Sequence, residues 1–461
     1  MSTREDSAPS PTVGSRDDLV AWIAAGSKPK ERWRIGTEHE KFLFHTDTLG
    51  PVPYAGSRGV RSLMEGLMAR FGWIPIMEGD NIIALKRPSG EANAGTVSLE
   101  PGGQFELSGA PLKTVHELGA ETQLHLDQVR AVGDELGIGF LGVGFSPNWS
   151  FEETPRMPKQ RYGVMTRYMP LVGSRGLDMM YRTATIQVNL DFADEADMVK
   201  KLRVSLALQP IATAIFACSP FSDRKPNGFL SLRSEVWRDT DKARTGMLPF
   251  AFEPGMSFER YADYALGVPM YFIYRDGRYI DVAGASFRDF MEGRLAALPG
   301  ERPTIDDWSD HLTTLFPEVR MKQFLEMRGA DGGRWRRICA VAAFWTGLMY
   351  DATALDAAWD LVKAWSATER QALRDAVPKL ALAAPVQGTS ALEIARQAAA
   401  IARAGLARRA CANGNGQDET IFLEPVEAIL ATGCTPAQEM LERYETVWGR
   451  STDPLFTEFA F

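Results

Sequence analysis

Between residues 34 and 44 the chain reads RIGTEHEKFLF. Side chains alternate sides along a strand, so Glu38 and Glu40 share one face and Phe42 and Phe44 continue it. Two like charges beside apolar rings are expensive unless something compensates from across the face. Alternation of the same period predicts strands in 73–87 and 95–109, paired around turn residues, in 138–147, in ATIQVNLDF (184–192) and in KQFLEMR (322–328). YFIYRDGRYIDV is predicted to be a hairpin turning at Asp276-Gly277.

Apolar residues three and four apart predict helices over 17–27, entered at Ser15 or Asp17, over 61–72, closed by Gly72, and over 114–137, ended by Gly137. A further helix over 195–217 is kinked at Pro210. From about residue 350 the chain turns Ala-rich and helical. SATE (366–369) and SALE (390–393) read as capping boxes, TPAQ (435–438) puts Pro at a first helical position, and 411–419 is a loop. Residues 1–16 are polar and read as a disordered tail. Residues 17–461 then form one α+β domain: an antiparallel sheet with helices, closed by a helical layer over about 350–461.

The composition is that of an ordinary globular chain, 45% hydrophobic and 24% charged. Lys and Arg number 51 against 59 Asp and Glu, a net charge of −8. That disfavours nucleic acid or an anionic membrane as the main partner. The longest apolar run, 206–217, is too short to span a bilayer. Four cysteines, Cys218, Cys339, Cys411 and Cys434, form no CxxC pair, which points to a reducing compartment and to small buried hydrophobes. GIGFLG (137–142) matches GxGxxG but follows a helix and lies in a strand, the reverse of a dinucleotide-binding order; close backbone packing explains it better. There is no P-loop and no zinc motif. His39 points away from Glu38 and Glu40 and has a structural role.

What does look like chemistry is a set of glutamates. Glu100 and Glu106 share parity with Gln104 around the Gly102-Gly103 turn, and Glu326 shares a strand face with Arg328. Five carboxylates on inward strand faces, Glu38, Glu40, Glu100, Glu106 and Glu326, suit a hard cation, Mg²⁺ or Mn²⁺, which commonly bridges carboxylates to a phosphate-bearing substrate. Arginines supply the other half: Arg161 and Arg167, Arg182 before Gln187 and Asn189, and Arg233, read as strand-borne with Glu235 on its face. Guanidinium forks match carboxylates and phosphates.

GTEHEKF, VSLEPGGQFELSG, TATIQVNLDF, PNGFLSLRSEVWRDTDKARTGMLPF, FLEMRGADGGRWRRICAVAAFWTGLMYD and GCTPAQEMLERY together resemble the plant-type glutamate–cysteine ligases, a class also found in proteobacteria. The resemblance runs from about residue 18 to the C-terminus. It implies the fold of glutamine synthetase and the guanidino kinases, a curved antiparallel sheet forming a funnel under helices. It implies ATP-dependent joining of the L-glutamate γ-carboxylate to the L-cysteine amine through γ-glutamyl phosphate, the first step of glutathione synthesis. By motif, Glu38, Glu40, Glu100, Glu106 and Glu326 would bind metal and Arg328 would reach the transferred phosphoryl group. Gln187 would lie on the funnel floor, Arg233 and Arg161 would grip glutamate, and Tyr271 and Trp345 would serve the cysteine pocket. Glu38, Glu100 or the acyl phosphate would take the amine proton. Feedback by glutathione and a monomer or homodimer are expected. Cys339 has no close cysteine partner, so no plant-like local disulfide is expected there. With no transit peptide in view, a bacterial cytosolic enzyme is expected. The alternative is a ligase of the same fold that joins glutamate to another amine.

Overall fold

The strand predicted around Glu38 runs from Ile35 to His45 (β1), and buried side chains line both of its faces. The computed structural model describes residues 10–88 and 95–461. Residues 1–9 of the predicted tail, and the turn residues 89–94, lie outside that range. Residues 10–16 take defined positions: Val13 is buried, and Thr12 bridges to Thr304. Ser15 caps the first helix, Arg16–Ala24 (α1), in a capping box with Asp18.

Among the described residues nine strands form one antiparallel sheet around β1. The others are β2 (Ile74–Glu78), β3 (Asn81–Lys86), β4 (Thr96–Leu99), β5 (Phe105–Ser108), β6 (Ile138–Leu141), β7 (Thr185–Leu190), β8 (Val319–Met321) and β9 (Leu325–Asp331). Their order is β8-β9-β7-β1-β5-β4-β3-β2, with β6 pairing the far end of β1. The strand predicted over 322–328 is thus a hairpin: β8 and β9 flank a turn, and Arg320 stands opposite Glu326. The hairpin at 272–281 forms as expected, with Asp276 and Gly277 both at positive φ, 48° and 75°.

Helices cover one face of the sheet. Val115–Leu136 (α3), Glu195–Ile215 (α6) and Trp335–Met349 (α8) pack against it. Behind them lie Ala352–Val362 (α9), Ala367–Leu380 (α10) and Ala391–Arg409 (α11). Ile186, Val188, Leu190, Leu325 and Met327 point into this helical core, so the opposite side chains of β7 and β9 are freed for the other face. Ser366 closes the predicted capping box, whereas the Ser390 side chain makes no capping bond. Gly137 takes φ +63° at the end of α3, and a Cβ on Gly139 would stand 2.2 Å from the Phe44 ring. The glycines of GIGFLG therefore serve close packing.

Among the described residues no single helix is long and apolar enough to cross a membrane. All four cysteines are free thiols; Cys218 and Cys339 are buried, but Cys411 and Cys434 are only half-buried.

Candidate active site

The side of β1, β5 and β7 turned away from the helical core forms the floor of a cavity. Glu38, Glu40, Glu100, Gln104, Glu106 and Gln187 line it, with Arg233, Arg320 and Arg328. Register places them. Glu40 faces Glu106 across β1–β5, and Glu38 faces Gln187 across β1–β7. Glu100 comes in over the Gly102-Gly103 turn. There Gly103 takes φ +85°, and a Cβ on Gly102 would lie 2.1 Å from the Tyr181 carbonyl oxygen. Glycine fits both positions where other residues would strain or collide. The Gln104 amide locks the turn, accepting from the Gly102 N–H at 2.9 Å and donating to the Thr183 carbonyl at 2.7 Å.

Carboxylate oxygens of Glu40, Glu100 and Glu106 all lie within 4.8 Å of one another. Burial and the neighbouring Glu100 and Glu106 charges push the Glu40 carboxyl well above its usual range. Burial and Glu106 push Glu100 up to about 8. Glu100 Oε1 is buried and accepts no hydrogen bond among the described residues. Three crowded carboxylates with an orphaned oxygen form a set that protons or a hard divalent cation would relieve. Glu38 is oriented beside them by Asn189 Nδ2 at 3.0 Å and Gln187 Nε2 at 3.3 Å.

Glu326 stands apart from this triad. Its fully buried carboxylate receives Arg320 Nη2 at 2.8 Å and pairs with Arg328. Burial alone would raise its pKa, but the Arg320 and Arg328 charges hold it well below the carboxylate range. The fifth predicted metal ligand therefore serves as the anchor of two arginines. Arg320 did not stand out in the sequence; its signal was the pairing with Glu326 across a turn, hidden while 322–328 read as one strand. Lys159 was also missed, since it reaches the site from a loop. Its ammonium is buried and donates to the Leu99 carbonyl at 3.0 Å, and its charge opposes the rise at Glu100.

Arg233 lies on a short helix, Leu232–Val236 (α7), and not on a strand. Its Nη2 donates to the Arg328 carbonyl at 2.8 Å. Behind these arginines a second, smaller hollow shares Arg233, Arg328, Trp237 and Phe316 with the first. Three predicted residues lie elsewhere. Arg161 stacks 4.8 Å over the Phe272 ring, near enough to influence Glu100 but outside the cavity lining. Tyr271 is buried beneath the Arg244 guanidinium at 3.7 Å. Trp345 is buried in α8 beside Phe344, on the core side of the sheet. Aromatic residues gave the sequence no means of separating pocket from core. Arg167 forms an exposed pair with Asp281, and Arg182 pairs with Asp178 and Asp223, so both are structural.

A buried carboxylate cluster facing paired arginines on an antiparallel sheet is the equipment of an enzyme that handles anionic, phosphate- or carboxylate-bearing substrates. The chain belongs to the glutamate–cysteine ligase family 2, whose model matches residues 34–458. It is 54% identical over 447 residues to the chloroplastic glutamate–cysteine ligase of Nicotiana tabacum, covering 97% of this chain and 83% of that one. The chloroplastic enzyme of Arabidopsis thaliana gives the same identity and coverage. Chloroplastic glutamate–cysteine ligase B of Oryza sativa subsp. japonica is also 54% identical, with 97% and 87% covered. A solved glutamate–cysteine ligase of Francisella tularensis in complex with AMP aligns at TM-score 0.49 and 12% identity, over 93% of this chain and 89% of that one. The expectation of a bacterial cytosolic enzyme is corrected by these relatives, which are chloroplastic plant proteins.

Proposed function

We propose that this cavity joins the γ-carboxylate of L-glutamate to the amine of L-cysteine at the expense of ATP, the first step of glutathione synthesis. The observation that carries the reading is the Glu40–Glu100–Glu106 triad, with oxygens within 4.8 Å, facing Arg233 and Arg328 across one cavity. Oxygen-only donors suit Mg²⁺, with Mn²⁺ a close substitute. Glu40, Glu100 and Glu106 would hold the cation, with Glu38 oriented beside them. A divalent cation held by these glutamates would supply charge neutralisation to the phosphates during phosphoryl transfer.

The chain's own residues do the rest. A carboxylate is a poor electrophile, and phosphorylation by ATP turns it into an acyl phosphate that the cysteine amine can attack, expelling phosphate. No enzyme nucleophile is needed. Arg233 grips glutamate where the two cavities meet, leaving its γ-carboxylate in the acidic chamber. Arg328, fixed by Glu326, stabilises charge on the transferring group. Glutathione carries the same γ-glutamyl group, fits the same grip and competes there.

The test is Glu40→Gln and Glu106→Gln. Each is expected to cut turnover by about a hundred- to a thousandfold, the scale of losing charge stabilisation at a transferring group. The circular dichroism spectrum and melting temperature should be retained, because relieving the carboxylate crowding does not harm the fold. Turnover retained at ordinary Mg²⁺ would overturn the assignment.

A further inference from the structure

We infer that Asp331 is a positioning residue for Arg233, acting through two serine hydroxyls that pin the start of α7; the inference rests on the reading of Arg233 as the grip on glutamate.

Asp331 ends β9 and is 1% exposed. Its place on the site side follows from a bulge. Leu325, Met327 and Ala330 all point into the helical core, and the register slips between Met327 and Ala330. One extra residue reverses the alternation, so Asp331 faces α7 when simple alternation would send it among the helices. Gly144 leaves the room: a Cβ there would stand 2.4 Å from the Asp331 carboxyl carbon.

The carboxylate takes three hydrogen bonds. Ser231 Oγ donates to Oδ1 at 2.8 Å, while Ser219 Oγ and the Cys218 N–H donate to Oδ2 at 2.7 and 2.8 Å. Each hydroxyl then accepts from the helix. Ser231 Oγ takes the Ser234 N–H and Ser219 Oγ takes the Arg233 N–H, both at 3.2 Å. The donating hydroxyl protons are committed to Asp331, so the oxygens are turned to receive the backbone. The far end of Arg233 returns to β9 through the Arg328 carbonyl. Arg233 is therefore held to one strand at its backbone and at its guanidinium, and Asp331 also supplies a buried negative charge near it. A fixed fork gives up less freedom on binding a carboxylate than a mobile one.

The test is steady-state kinetics with each substrate varied in turn. Asp331→Asn keeps the shape, removes the charge and turns one acceptor into a donor. It should raise the KM for glutamate about tenfold while the KM for ATP stays within about twofold. Ser231→Ala, a milder change should the first variant fail to fold, should raise it about threefold, and Ser231→Thr, which keeps the hydroxyl, should restore it. Variants of Asp331 and Ser231 that lower the melting temperature but leave the glutamate KM unchanged, while Arg233→Lys raises it, would overturn the positioning role alone. An unchanged glutamate KM in Arg233→Lys as well would overturn the reading of Arg233 itself.

Discussion

His39 and Lys41 lie between and beside the glutamates in sequence but on the opposite face of β1, against α3. The Lys41 ammonium is 3.0 Å from His39 Nδ1, and His39 meets His125 of α3 edge-on, with ring centroids 5.6 Å apart. Both ring nitrogens of His125 are buried without hydrogen-bond partners among the described residues. Burial, then the Lys41 and Arg87 charges, hold its pKa well below the usual 6.5. Below that pH the unfolded chain binds a proton that the folded one refuses. The stability linked to His125 is thus fully present above about pH 6.5 and is lost as pH falls below it. His125→Phe should preserve stability near neutral pH, since it removes two unsatisfied polar atoms from the core. It should also flatten the acid limb of a denaturation series by up to about 1.4 kcal/mol per pH unit. An unchanged acid slope would refute this. At the same scale, the parity of Glu38, Glu40, Glu100 and Glu106 was legible because strand alternation is strict and their neighbours are glycine and apolar residues. The apparent cost of charges beside Phe42 and Phe44 also resolves here: those rings continue the face into a separate cluster with Trp149 and Phe456.

Among the elements, the β9 bulge organises one side of the site. Gly329 sits in it, and a Cβ there would lie 2.1 Å from Gln209 Nε2 and 2.8 Å from Thr213 Oγ1 of α6. Thr213 Oγ1 donates to the Gly329 carbonyl, and Thr185 Oγ1 donates to those of Arg328 and Ala330. Gly329→Ala sets a methyl against the Gln209 amide and Thr213 Oγ1, so those side chains or β9 itself must shift, at a cost of about 1–3 kcal/mol by overpacking; a shift of β9 carries Arg328 with it. Turnover number should fall more than the KM for glutamate rises; an unaltered turnover number with the expected loss of stability would show that Arg328 is not set by the bulge. Strands and long helices were readable from periodicity, and GTEHEKF gave β1 directly. The bulge was not readable, because Gly329 alone says nothing about which helix approaches it. For the same reason Arg233 was placed on a strand: five residues are too few to show helical period, and Ser231 as cap was the one available clue.

Across the whole molecule, sheet and helices divide the work. The helical core, made of α3, α6 and α8 to α11, covers one face of the sheet and lets the other carry charge. The five-glutamate pattern is visible in the alternation of the chain itself, but its division into a triad, an oriented Glu38 and an arginine anchor depends on register between strands far apart in sequence. Acceptor identity lies further still from local pattern, since Tyr271 and Trp345 prove to be buried away from the cavity. The measurement that tests the central claim most directly is ADP release with ATP, Mg²⁺ and L-glutamate, adding L-cysteine or one of several other amines. Strong stimulation by L-cysteine with γ-glutamylcysteine as the product is the expected result. Stimulation by a different amine, or no ADP under any of these conditions, would contradict it.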